Sequence, residues 1–336
     1  MRVRDAIEWT ALGAIWGGSF LFTKVAVTAG EFTPYAVVAV RLAVAAAVLA
    51  VPVFVRREWG HVRANWGWLL ALGALNCAVP FTLFAWALQP RPAADGALSS
   101  MSAGDSSVLN ATAPLFAAVL GFAFLRERVS LRQGVGLAVG FAGVITLVWD
   151  KLSFAGNGWA AVACLAAAFL YGVSSHVINR RLKGVPPAAV SAGSLLFAAL
   201  LLMPVALFNL PPALPSGGAW LAAVALGVVC TAVAFLMYFR LLKNIGPTKS
   251  MTVAYAIPAF GILWGCLFLG ESASLSTLVG GLVIVVGVVL VKWPGPKAAD
   301  GKSETSPPVP LSQGEKGCSS CGGLGVSADV TERYRS

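Results

Sequence analysis

The sequence predicts an all-α polytopic membrane protein, ten transmembrane helices laid out as two inverted five-helix repeats. Three observations carry this. Of 336 residues, 58% are hydrophobic and only 11% charged, where soluble domains carry about a quarter charged residues. Apolar runs of about twenty residues recur along the chain, each long enough at about 1.5 Å per residue to cross a hydrocarbon core of roughly 30 Å. Finally, "LRERVSL" at 125–131 returns as "LGESASL" at 269–275.

The first run, 9–29, follows "MRVRD". It exceeds the h-region of a signal peptide, about 7–15 residues, and no small-x-small site ends it, so it is expected to remain as a span. Breakers and polar connections then delimit runs at 34–55, 66–88, 106–125 and 131–149. A second set follows at 159–179, 188–208, 220–239, 251–269 and 275–292. Beyond Trp293 the chain turns Pro/Gly/Ser-rich, which predicts a disordered tail over 294–336. The tail's Cys318-x-x-Cys321 has no second pair and is poor evidence for zinc or redox chemistry. Cys77, Cys164, Cys230 and Cys266 each stand alone in an apolar run, as small buried hydrophobes do.

Lys and Arg set the expected orientation. Sixteen fall at the N-terminus and in alternate connections, from Arg2 and Arg4 through Arg56, Arg57 and Arg63 to Lys292 and Lys297. The other connections hold two, Arg91 and Lys151. The positive-inside bias places both termini in the cytoplasm. The net charge of +10 is thereby a topology signal that calls for no nucleic acid.

Residues 101–147 laid over 245–291 without a gap give 14 identities in 47, among them Pro114/Pro258, Gly121/Gly265, Glu127/Glu271 and Ser130/Ser274. Trp66, Ala71-Leu72-Gly73 and Phe81 likewise match Trp220, Ala225-Leu226-Gly227 and Phe235. Self-similarity at a fixed offset is the mark of a duplicated architecture. The units are 1–150 and 151–293. Five spans is an odd number, so the second copy is expected upside down in the membrane, a recurring construction of secondary transporters.

The ordered set "WGGSFLFTK", "VLNATAPLFAAVLGFAFLRERVS" and "YAIPAFGILWGCLFLGESAS" resembles the EamA-type family of the drug/metabolite transporter superfamily, over residues 6–292. The resemblance implies a ten-helix permease of the bacterial inner membrane, usually an exporter of amino acids, other metabolites or drugs, with a cavity between its halves. The neighbourhood of "PRPAADGALSSM", between the third and fourth spans, is longer than is usual in the family.

The turn glutamates read first as structure. Ser130 and Ser274 stand where the following helices need N-caps, and a nearby carboxylate favours a helix N-terminus. Charges inside spans are more informative, because they are costly unless paired or hydrated. Lys24 and Arg41 are the two clear cases, at similar depth, with uncharged counterparts Asn179 and Ser194. They suit a substrate carboxylate, and both are also long enough to snorkel. Small multidrug-resistance relatives carry a glutamate eight residues before a lysine in their first helix; here Trp16 stands there, which argues against cationic drugs. His176 is the histidine that falls within a span.

Trp16, Asn76, Asn110, Tyr171 and Tyr255 add the aromatic and polar groups that an amphipathic ligand needs. The same residue types also serve helix packing. Pro114 and Pro258 predict paired helix kinks. GxxxG spacings such as Gly13/Gly17, Gly136/Gly140 and Gly261/Gly265 mean close packing, within the chain or in a homodimer. No Walker A motif and no metal-ligand cluster occurs in the spans, so no cofactor, metal or ATP drive is expected. The reading is a secondary transporter of small amphipathic metabolites in the lipid bilayer, amino-acid-like solutes first. Proton-driven drug efflux is the alternative within that class, and a non-transporting scaffold or an intramembrane enzyme the alternative outside it.

Overall fold

A computed structural model describes residues 2–28, 31–92, 98–125, 130–154 and 158–292. It is an all-α polytopic membrane protein. The helices are α1 (Val3–Val27), α2 (Pro34–Val55), α3 (Trp59–Ala64), α4 (Trp66–Gly73), α5 (Val79–Leu88), α6 (Ala103–Asn110) and α7 (Ala113–Leu125). They continue as α8 (Leu131–Phe154), α9 (Gly158–Arg181), α10 (Pro187–Phe208), α11 (Gly217–Gly227), α12 (Ala234–Met251), α13 (Ile257–Leu269) and α14 (Leu275–Lys292). Among the described residues, nine continuous or interrupted helices are long and apolar enough to span a bilayer, and Leu275–Val291 is a shorter apolar helix. The long connection before α6 forms a small antiparallel hairpin, β1 (Arg91–Pro92) against β2 (Leu98–Ser99).

The helix starts follow from their caps. Thr33 Oγ1 accepts from the Ala36 amide at 3.2 Å, and Pro34 fills the first position, where its missing N–H costs nothing. Ser102 Oγ accepts from Asp105 N at 2.8 Å, which starts α6 three residues before the apolar run alone suggests. Ser130 and Gln133 cap each other reciprocally at the head of α8, and Ser274 Oγ accepts from Thr277 N at 3.2 Å ahead of α14. Glu127 lies outside the described residues.

Backbone at membrane depth must find its hydrogen bonds within the protein. The interruptions are therefore few, and they come in pairs. A π-helical segment, Ala74–Ala78, joins α4 to α5, and another, Val228–Val233, joins α11 to α12. Each directly follows one copy of Ala-Leu-Gly. Ala111 and Thr112 break the helix between α6 and α7; the 3₁₀ turn Thr252–Tyr255 precedes α13. Pro114 and Pro258 are the second residues of α7 and α13, first-turn positions where a missing N–H leaves no intrahelical bond unmade.

Packing repeats the same exchange. Helix α1 lies against α13 and the α11–α12 pair; α9 lies against α7 and the α4–α5 pair. The counterparts α2 and α10 pack together, as do α8 and α14. The α8–α14 seam is backbone on backbone: a Cβ added at Gly136 would stand 2.8 Å from Gly287 O, and one at Gly143 2.8 Å from Gly280 O. Gly17 meets α13 in the same way, where a Cβ would come 2.6 Å from that of Phe260. The GxxxG faces are thus used between helices of one chain.

Candidate functional site

Between the helix pairs lies a cavity of about 570 Å³. Helix α1 turns Trp16, Phe20 and Thr23 into it on one face, and α2 contributes Arg41. The first π segment supplies Asn76, the α6–α7 break Asn110, and α9 Tyr171, Ser175 and His176. Its aromatic walls form two sets. Trp16 lies 5.6 Å from Tyr238, centroid to centroid, while Phe84 stacks at 6.3 Å on Tyr171 and meets Phe20 edge-on at 5.3 Å. In repeat register Trp16 corresponds to Tyr171 and Phe84 to Tyr238, so the two sets are counterparts.

The polar groups break that symmetry. Arg41 is the formal cation among the described lining residues, which include no Asp or Glu. Its side chain is buried, with the residue 8% exposed. Arg41 Nε donates to Thr231 Oγ1 at 3.0 Å, and its guanidinium carbon sits 3.8 Å from the Phe81 ring centroid. Thr231 Oγ1 itself donates to Leu226 O at 2.7 Å, a bond five residues back that the π segment makes possible. Among the described residues no carboxylate pairs with Arg41. A guanidinium held on one edge keeps further N–H donors in the fork geometry that suits a carboxylate. Its counterpart Ser194 is buried and donates to the carbonyl of Ser191, at 3.1 Å.

Asn76 is fixed by Ser174, whose hydroxyl donates to Asn76 Oδ1 at 3.1 Å. His176 Nε2 lies 2.8 Å from Ala117 O, beside the α6–α7 break. The cavity extends toward Ser250, Met251 and Val291. At that end of α1, Asn244 donates to Asp5, and Glu8 pairs with Arg4 and Arg240.

The opposite end is clamped. Lys24 Nζ donates to Glu271 Oε1 at 2.6 Å and to Met101 O at 3.1 Å. The same carboxylate accepts from the Ala103 amide through both oxygens, at 3.0 and 2.9 Å. Gly270, at φ 64, turns the chain so that Glu271 N donates back to Gly265 O. Beside the clamp, Thr277 Oγ1 donates to buried Asp105 at 2.5 Å. Four segments therefore meet here: α1, the start of α6, the α13–α14 turn and α14.

The structure gathers Trp16, Arg41, Asn76, Asn110, Tyr171 and Pro114 around the cavity. It places three expected residues elsewhere. Lys24 neither lines the cavity nor reaches for the surface, because Glu271 comes within its reach. Tyr255 sits in the 3₁₀ turn between lining residues Ala254 and Ile257, and Pro258 is buried in the first turn of α13. Glu271 departs from its reading as a local turn residue: its carboxylate serves the N-terminus of α6 and not that of the helix following it. Thr231 and Tyr238 were not singled out in sequence. The signal was present, since both fall on the repeat positions of Cys77 and Phe84.

Comparison with known proteins agrees with this architecture. The model of the EamA-like transporter family matches residues 7–149 and 158–293. An uncharacterised transporter of Archaeoglobus fulgidus is 24% identical over 82% of this chain and 93% of its own length. A protein of Streptantibioticus cattleyicolor named "Probable terminal-alkyne amino-acid exporter" is 28% identical over 56% of this chain and 64% of its own. The uncharacterised inner membrane transporter YedA of Escherichia coli is 30% identical over 57% and 62%. A crystal structure at 21% identity superposes with a TM-score of 0.59, covering 87% of this chain and 98% of the other, and shows the same fold. Two family matches, which together cover most of the chain and between them take in the cavity and the clamp, establish that the chain belongs to the EamA-like transporter family.

Proposed function

We propose that this chain is a secondary exporter of small amphipathic carboxylates, amino acids foremost, in a bacterial inner membrane with both termini cytoplasmic. The carrying observation is Arg41: a buried, unpaired guanidinium in a cavity otherwise walled by aromatic rings and amides. A carboxylate would bind the free edge of Arg41, and the apolar body would lie between the Trp16/Tyr238 and Phe84/Tyr171 sets. Asn76 and Asn110 would take the remaining polar group. The relative named for amino-acid export supports the same substrate class. A lipophilic cation finds no carboxylate among the described lining residues, so efflux of cationic drugs is the weaker reading.

Transport would proceed by alternating access of two inverted five-helix halves, 1–150 and 151–293, with ten spans in all. The paired π segments, the paired breaks and the exchange-symmetric packing support this. In this conformation the cavity reaches the end that bears Asp5 and Glu8, which the Lys/Arg bias assigns to the cytoplasm, and the Lys24–Glu271 clamp closes the other. The test is efflux of a labelled panel from vesicles containing the purified protein. Arg41→Gln should abolish preference for carboxylates over neutral analogues, through loss of a charge-assisted hydrogen bond of about 1.5–3 kcal/mol. Arg41→Lys should retain part of it, since the charge survives while the planar fork is lost. Equal losses for charged and neutral solutes would assign Arg41 to structure.

A further inference from the structure

A second concavity lies on the outer flank of the bundle, between α4, α7 and α9. It is a groove of about 270 Å³ whose walls include Trp68, Leu120, Phe124 and Val177. Phe124 is 78% exposed, so the groove faces the surroundings of the bundle and not the transport cavity. One end carries Arg180 and Arg181, on the last turn of α9. The guanidinium of Arg181 lies 4.7 Å over the Trp68 ring, which holds it beside the groove mouth. Among the described residues no carboxylate pairs with either arginine.

We propose that this groove is a binding site for an anionic phospholipid, one acyl chain in the trough and the phosphate on Arg180 and Arg181. The chemistry is complementary at both ends. An apolar trough on a membrane-embedded surface is filled by hydrocarbon, and two unpaired guanidiniums at its rim select a net negative headgroup. The ammonium of a zwitterionic lipid would offset its own phosphate, and a free anion would leave the trough empty. Arg180 and Arg181 also occupy a helix C-terminus, where the aligned carbonyls favour their charge and hold them at the rim.

The site abuts the transport cavity. His176 borders both, with Nε2 held 2.8 Å from Ala117 O at the α7–α9 contact. A lipid seated here lies against the wall that separates the cavity from the bilayer.

The test is lipid retention by the purified full-length protein, read by native mass spectrometry with phosphatidylglycerol and phosphatidylcholine of identical chains. Wild type should retain phosphatidylglycerol preferentially. The exposed double variant Arg180→Gln/Arg181→Gln should lose that preference by roughly 30-fold, the product of two surface cations acting on one anionic lipid. Arg132→Gln, at another basic connection, should leave it unchanged. Val177→Phe, which fills the trough, should weaken retention of both lipids. Equal retention of the two lipids by wild type, undiminished phosphatidylglycerol on the double variant, or displacement of the lipid by millimolar inorganic phosphate would each overturn the proposal.

Discussion

Neutralising Glu271 should loosen the closed end of the cavity, and the structure sets the size of the effect. The carboxylate accepts from Lys24 at 2.6 Å and from the Ala103 amide at 3.0 and 2.9 Å. Glu271→Gln keeps one carbonyl oxygen for Ala103 but turns a neutral group toward the ammonium. The loss is therefore one charge-assisted hydrogen bond, about 1.5–3 kcal/mol. The side chains of Lys24 and Glu271 retain 17% and 13% exposure, and this partial solvation favours the lower half of that range. A loss of about 1.5–2 kcal/mol corresponds to roughly a ten- to thirty-fold rise in the population open at that end.

A cysteine at the lining position Ser19, in a background without native cysteines, reports this population. Its rate of labelling by an impermeant maleimide, added from the side of the α1 C-terminus, should rise by the same factor. The swapped pair Lys24→Glu/Glu271→Lys should restore only part of the closure, because a lysine at 271 cannot accept from the Ala103 amide. Unchanged labelling in Glu271→Gln would refute the clamp. So would an equal rise in Arg4→Gln, which disturbs an exposed pair at the opposite end.

Other outcomes follow from features already described. Gly17→Ala should destabilise the α1–α13 contact by about 1–3 kcal/mol and lower the Tm in detergent, since the new methyl meets the Phe260 Cβ at 2.6 Å. Thr231→Val should weaken carboxylate selectivity without abolishing it, because Arg41 keeps its charge but loses the bond that aims it; a panel assay of the purified protein reads this directly. A cysteine at Asn209 should react with an impermeant thiol reagent from outside intact cells, and one at Arg132 should not; the reverse pattern would invert the proposed orientation. Truncation after Pro294 should leave insertion and efflux intact, which expression level and vesicle transport together decide.

Much of the architecture was legible because bilayer physics writes itself into sequence. Span length reports on depth, and depth is what a one-dimensional pattern records well. Position around a helix is recorded less well in a chain this uniformly apolar. Arg41 could be placed at the cavity because a cation at that depth has few alternatives, and Asn76, Asn110 and Tyr171 because they share helical faces with other polar or aromatic groups. Lys24 satisfied the same criteria and went elsewhere. Its partner lies 247 residues away, in a turn whose glutamate looked like a local cap. The π segments were also invisible, since Ala74–Ala78 and Val228–Val233 contain no breaker residue. Thr231 is aimed at Arg41 by one of those segments, and so escaped with it.

The α8–α14 seam bears on mechanics. Helices that interlock through bulky side chains turn against each other only by lifting each knob from its socket. Here Gly136, Gly143, Gly280 and Gly287 bring main chain against main chain, flanked at those points by the side chains of Leu147, Ile284 and Leu290. Such a contact would behave as a plain bearing: the surfaces fit closely and resist separation, yet the glycines themselves carry no knob that a small rotation must lift. Rocking of one half on the other would meet least resistance about this line. Substituting a large residue for one of these glycines would act like grit in the bearing, slowing turnover more than it weakens substrate binding.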